Sequence, residues 1–171
     1  MVILVNDANV QTGIIKKTEA HKESLLHRSS AVFIFNSLGK LMIQQRSMYK
    51  TTSPGLWSTT CQTHPRPGET ALAAAHRSLN EDLGFDCSFH NFTLCKIDAL
   101  TEDNIFEKEI NHMYIGISNQ LPKINPREVN SYKLMTPSEI KEDITFHPEK
   151  YTDWFKVVFN KAFRMYPTLF R

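Results

Sequence analysis

"ETALAAAHRSLNEDLGF" occupies residues 69–85. Leu72, Ala75, Leu79 and Leu83 recur at spacings of three and four, which predicts an amphipathic helix with that stripe against a core. Pro67 and Gly68 punctuate its start, and Gly84 offers a left-handed stop at its end. Toward the N-terminus, "AVFIFNSLGKLMIQQR" (31–46) reads as an antiparallel hairpin, alternating apolar and polar residues about the turn-rich "NSLGK". Toward the C-terminus, "FHNFTLCKIDAL" (89–100) and "EINHMYIGIS" (109–118) read as two further strands joined by the acidic "TEDN" (101–104). "TPSEIKED" (136–143) carries Thr136 and Glu139 at capping-box spacing, so a short helix starts there. "EKYTDWFKVVFNKAF" (149–163) places Trp154, Phe155, Val158, Phe159 and Ala162 on one face of a terminal helix. Strands flanked by helices in mixed order predict an α+β sandwich.

The 171 residues suffice for a full hydrophobic core, and one domain over 1–171 is expected. Twenty Lys and Arg against eighteen Asp and Glu leave a charge of +2, too little for a nucleic-acid surface, so the expected partner is a small molecule. Cys61, Cys87 and Cys95 are odd in number and form no CxxC pair, which suits a reducing compartment. The opening "MVILVNDANV" lacks a basic region and a cleavage site, and nowhere do eighteen apolar residues run together. A cytoplasmic protein without a membrane span is expected.

Four constellations carry candidate chemistry. Glu69, Arg77 and Glu81 share a helix azimuth, with Ser78 one turn before Asp82; a solvated face with an Arg77–Glu81 pair is the plainer account. Glu107 and Glu109 point to one side of a strand, as a solvated edge or as a metal and acid site. With those carboxylates, His21, His27 and His64 would supply a ligand set for Zn²⁺, Mn²⁺ or Mg²⁺ (zinc, manganese or magnesium), although scattered histidines commonly lie on surfaces. Lys17, Arg46 and Lys50 stand near Gly- and Pro-bearing turns, where they could hold a diphosphate or simply solvate a surface.

"AHKESLLHR" (20–28), "VFIFNSLGKLMIQQR" (32–46), "SPGLW" (53–57), "HPRPGE" (64–69), "AAHRSLNEDLGF" (74–85), "EKEINHMYIG" (107–116) and "HPEKYTDWFKVVF" (147–159) follow one another in an order that resembles the type I isopentenyl-diphosphate isomerases of the Nudix superfamily. The resemblance covers almost the whole chain. It implies a Nudix-fold α/β/α sandwich with a mixed β-sheet, in which residues 69–85 correspond to the Nudix helix. Glu69, Arg77, Leu79, Glu81, Gly84 and Phe85 fit the general Nudix pattern, and Thr63 stands at its leading glycine. The resemblance further implies that His21, His27, His64, Glu107 and Glu109 hold a divalent metal, and that Lys17, Arg46 and Lys50 bind an isoprenoid diphosphate. A second ion, Mg²⁺, would be held by that diphosphate, the carbonyl at position 62 and Asp82. Ser78 stands where a further diphosphate-binding arginine is expected.

In that family the substrate alkene is protonated, a tertiary carbocation forms, and a proton leaves from the opposite side, with a glutamate and a cysteine sharing the work. Glu109 matches the glutamate. Gln62 occupies the thiol position, Cys61 lies beside it, and an amide is neither a useful acid nor a useful base near neutral pH. The tyrosine that supports the acid would fall at 95–97, where the chain reads "CKI". Ser30 stands at an aromatic position and is expected to enlarge the pocket. Trp154 matches the aromatic whose π face stabilises the cation. The expected catalytic residues are therefore Glu109, Gln62 and Trp154, in an enzyme that protonates an isoprenoid diphosphate and ends in isomerisation or, with a longer prenyl chain, in rearrangement or cyclisation. A Nudix diphosphohydrolase using Glu81 and Asp82, and a non-catalytic diphosphate-binding protein, are the alternatives.

Overall fold

The structure, a computed structural model, describes residues 1–100 and 106–165; the "TEDN" connection lies outside the described residues. In chain order the elements are β1 (Val2–Val5), β2 (Gln11–Ile15), α1 (Lys17–Lys22), β3 (His27–Phe35), β4 (Leu41–Arg46), β5 (Trp57–Ser58), β6 (Cys61–Thr63), α2 (Ala71–Leu83), β7 (Phe89–Leu100), β8 (Phe106–Ile117), β9 (Val129–Met135), α3 (Pro137–Phe146), a 3₁₀ turn (Pro148–Lys150) and α4 (Asp153–Met165). Among the described residues the strands form one mixed sheet organised on β3, which pairs antiparallel with β1, β4 and β6 and parallel with β8.

The segment 31–35 was expected to alternate, but β3 is apolar on both faces because helices cover both. Ala31, Phe33 and Phe35 pack on α3 and α4 with Ile140, Trp154, Phe155, Val158 and Phe159, while Val32 and Ile34 pack on α2 with Ala75, Leu79 and Leu83. The result is a three-layer α+β sandwich. Each fully buried Phe or Leu stabilises it by about 1.5–3 kcal/mol. The hairpin forms at Phe35 and Leu41, then its strands part, and β4 completes its hydrogen bonding with β5 and β9.

α2 starts two residues later than Glu69, because the Thr70 side chain caps it by accepting from the Ala73 N–H at 3.1 Å. Leu72, expected on the buried stripe, is 43% exposed. The first turn meets the sheet through Ala71 instead, whose carbonyl accepts from Ser30 Oγ at 2.9 Å. At the other end Gly84 has φ 70°, and a Cβ there would come within 2.8 Å of the Lys123 carbonyl oxygen, so both conformation and space require glycine. The capping box of α3 forms with both bonds, and α4 buries the five residues expected of it. Among the described residues no helix is long and apolar enough to cross a membrane.

Candidate active site

The parallel register of β3 and β8 sets His27 opposite Glu109 and Ser29 opposite Asn111. Side chains alternate along a strand, so Glu107, Glu109, His27 and Ser29 all face the α4 layer. α1, anchored by the buried Ala20, brings in His21, and His64 follows directly after β6. One ligand atom each from His21, His27, His64 and Glu107 lies within 4.8 Å of the others. Glu109 adjoins this group through Oε1, which is 3.0 Å from His64 Nε2 and 3.7 Å from His27 Nε2.

Two observations fit this cluster to a metal ion. His21 Nε2 and Glu107 Oε2, 3.5 Å apart, are buried with no hydrogen-bond partner, an arrangement that costs free energy unless something else satisfies both. Two of the imidazoles also favour the neutral, ligating form: burial, and then the charge of Lys17, push His21 down to about 4 and His64 down to about 3. Glu107 is pushed up to about 8 by burial and by the neighbouring Glu109. Burial also opposes ionisation of Glu109, but hydrogen bonds from His64 and Ser29 outweigh it and hold that carboxyl below the usual range.

β6 decides between the two neighbours in "TCQT". It pairs with β3 so that Gln62 sits opposite Ala31 and Cys61 opposite Val32. Gln62 therefore faces the α4 side, its Nε2 3.3 Å from Glu109 Oε2 and its buried Oε1 without a partner. Cys61 faces α2, fully buried among Val32, Ile34 and Leu79, with its thiol pushed well up by burial and then by Asp82. A one-residue shift exchanges the two faces of a strand, so the Cys61 sulfur cannot reach Glu109 while this register holds.

Gln62, His64, Glu107, Glu109 and Trp154 line a cavity of about 180 Å³ together with Lys17, Arg46 and Lys50. Trp154 is fixed by its indole N–H to Ser58 Oγ at 3.2 Å, and the Arg46 guanidinium lies over its ring at 5.0 Å from the centroid. Arg46 also donates to the carbonyls of Thr52 and Ser53 at 2.8–3.2 Å, so it braces the loop forming the cavity rim. Lys50 pairs with Glu128. An adjoining recess of about 440 Å³ shares Lys17, Lys50, Gln62 and His64 and adds Asp82. There Asp82 accepts from Ser78 Oγ at 3.2 Å and is pushed up to about 6 by burial, against the opposing charge of Lys50. Asp82 thus lies across the shared residues from the His/Glu cluster, in a separate recess.

Three features depart from what the sequence suggested. Ser30 does not enlarge the pocket: its hydroxyl bonds Ala71 on the opposite face of the sheet. The Glu69–Arg77–Glu81 face is a half-buried clamp. Arg77 grips both Glu69 oxygens at 2.8 and 2.9 Å, reaches Glu81 at 3.0 Å and donates to the His64 carbonyl at 3.3 Å, tying the segment after β6 to α2. Finally, Ser29 and Asn111 join the site, although sequence spacing alone gives neither a role. Ser29 Oγ donates to Glu109 Oε2 at 2.5 Å, and Asn111 Nδ2 donates to Ser29 Oγ at 2.8 Å. The period-two run Glu107, Glu109, Asn111 marks only the shared face.

Residues 25–155 match the NUDIX domain family model. The isopentenyl-diphosphate Delta-isomerase of Pectobacterium atrosepticum is 40% identical over 92% of this chain and 88% of its own length. That of Serratia proteamaculans is 37% identical over the same shares. Among solved structures, a Deinococcus radiodurans protein superposes with TM-score 0.72 at 22% identity, covering 85% of this chain and 89% of its own. That last likeness bears on the fold alone.

Proposed function

The chain belongs to the Nudix family and, within it, to the type I isopentenyl-diphosphate isomerases; on that premise we propose a metal-dependent enzyme that binds an isoprenoid diphosphate and protonates its alkene from Glu109. One observation carries the reading: a single cavity has Glu109, Gln62 and Trp154 together with the cations Lys17, Arg46 and Lys50. Such a cavity suits a molecule that is anionic at one end and an alkene at the other. His21, His27, His64, Glu107 and Glu109 would hold Zn²⁺, Mn²⁺ or Mg²⁺, whose positive charge would fix the Glu109 carboxyl beside the substrate. Mg²⁺ near Asp82 would accompany the diphosphate.

In the chemistry this implies, Lys17, Arg46 and Lys50 bind the diphosphate and set the hydrocarbon against Trp154. A proton delivered by the Glu109 carboxyl goes to the terminal alkene carbon, leaving a tertiary cation that the indole ring stabilises. Gln62, standing at the position of the expected thiol, takes no proton from that cation. Ordinary isomerase turnover is therefore slow, and the cation returns its proton to the face it came from or is captured by water. Isopentenyl diphosphate, the substrate in the relatives' names, is the first reading. A longer prenyl chain that cyclises after protonation is a second reading, favoured by a recess of about 600 Å³ that shares Lys17, Thr51 and Thr52 and is walled by Phe106.

Incubation with divalent metal and prenyl diphosphates of graded length in heavy water tests the proposal. Deuterium entering the terminal alkene carbon, abolished by Glu109→Gln, supports it, and the chain length that reacts separates the two readings. Phosphate or pyrophosphate release that survives Glu109→Gln and stops with Glu81→Gln or Asp82→Asn would replace it with the hydrolase.

A further inference from the structure

Glu109 can serve as the acid only if its carboxyl group holds one orientation, and a Glu χ3 torsion is broad unless partners fix it. Oε1 is taken by His64 and His27, which leaves Oε2 as the oxygen nearest Gln62. No tyrosine hydroxyl is available from β7, where Ile97 lies opposite Glu109. The short contact to Oε2 comes from the other neighbouring strand, through Ser29.

We propose that Ser29, itself oriented by Asn111, is the positioning residue of Glu109, supplying from β3 the hydrogen bond that sets which carboxyl oxygen faces the substrate. The proposal rests on the proton-transfer reading above. A serine hydroxyl ordinarily rotates to suit its surroundings, but here Asn111 Nδ2 donates to its oxygen. The hydroxyl hydrogen is thereby aimed at Glu109 Oε2. Ser29 and Asn111 are both fully buried, so water does not compete for these bonds. The parallel register, with Ser29 opposite Asn111 and His27 opposite Glu109, keeps donor and acceptor on one face without any contribution from a loop. Asn111 Oδ1 is buried without a hydrogen-bond partner, a feature that packing alone disfavours at the centre of a sheet. Its presence is accounted for by the bond that its amide nitrogen makes.

The test is Ser29→Ala, with Ser29→Thr as the variant that restores a hydroxyl. Two quantities are measured: deuterium uptake into isopentenyl diphosphate by the metal-loaded enzyme, and the infrared carboxylate bands of ion-free protein, assigned to Glu109 by difference from Glu109→Gln. Removing an outer hydrogen bond of this kind typically lowers activity about 10–100-fold. The expected result for Ser29→Ala is a loss of that size in kcat, KM within about twofold and a shifted Glu109 band, with Ser29→Thr restoring both. Wild-type kcat and an unshifted band in Ser29→Ala would overturn the proposal. So would equal losses in Ser29→Ala and Ser29→Thr accompanied by loss of bound metal, which would mark a merely structural role. Should the wild type take up no deuterium, the proton-transfer reading fails on its own account, and the infrared band alone decides whether Ser29 holds Glu109. If Ser29→Ala does not fold, Ser29→Cys keeps the volume with a weak donor and is read by the same criteria.

Discussion

Arg77→Met removes the guanidinium that joins Glu69, Glu81 and the His64 carbonyl while keeping most of the apolar stem. The bidentate bond to Glu69 joins side chains only 19% and 16% exposed, so it keeps much of the strength of a charge-assisted pair, about 1.5–3 kcal/mol. The bond to Glu81 reaches a carboxylate 47% exposed and adds about 0.3–0.5 kcal/mol. Together these predict a loss of about 2–3 kcal/mol at pH 7, a fall in melting temperature of about 5–10 °C for a chain of this size. The pH dependence has a definite sign. Hydrogen bonding from Arg77 holds Glu69 below its ordinary 4.5, so this stabilisation is complete above that value and is lost as pH falls through the depressed one. Urea unfolding of ion-free protein at pH 7 and pH 3 therefore shows a large gap between wild type and variant at pH 7 that is smaller at pH 3. Equal midpoints at pH 7, or a gap undiminished at pH 3, would refute the clamp.

Three further outcomes are expected. Purified protein carries close to one divalent ion per chain by elemental analysis, and His64→Ala loses it, because one ligand of the set is gone; a metal-free wild type would contradict the ligand assignment. Gln62→Cys raises interconversion of isopentenyl and dimethylallyl diphosphates above the wild-type rate, whereas Cys61→Ala leaves that rate unchanged; rapid wild-type turnover lost in Cys61→Ala would mean that β6 has a different register. Gly84→Ala destabilises by about 1–3 kcal/mol in thermal melts, from the strained φ and the approach to the Lys123 carbonyl; an unchanged melt would show that the helix end relaxes freely.

What could be read from sequence was what local chemistry encodes. The Thr136/Glu139 box, Gly84 and the apolar face of α4 all depend on neighbours within a turn or two, and all appear as expected. What could not be read depends on distant pairing. The hairpin of β1 and β2 owes its place to bonding beside β3 at Leu4 and His27, and "MVILVNDANV" carries no sign of that partner. The fate of Ser30 turned on which face of β3 it occupies, and that face is fixed by α2 packing against it. The Cys61 and Gln62 question was likewise one of register. Either neighbour could face the cavity in an isolated "TCQT", and only pairing with Ala31 and Val32 turns the amide inward.

The parallel pairing of β3 with β8 joins residues 82 positions apart, the same offset that separates Ser29 from Asn111. Contacts of such long range must overcome loop-closure entropy before they return any stability, and they tend to form late on a folding pathway. His27 and Glu109 stand at the start of that ladder, so the proposed metal site is complete only after the centre of the sheet has closed. A divalent ion supplied during refolding should accordingly slow unfolding while leaving the folding rate almost untouched, making metal capture a report of finished assembly and not its trigger.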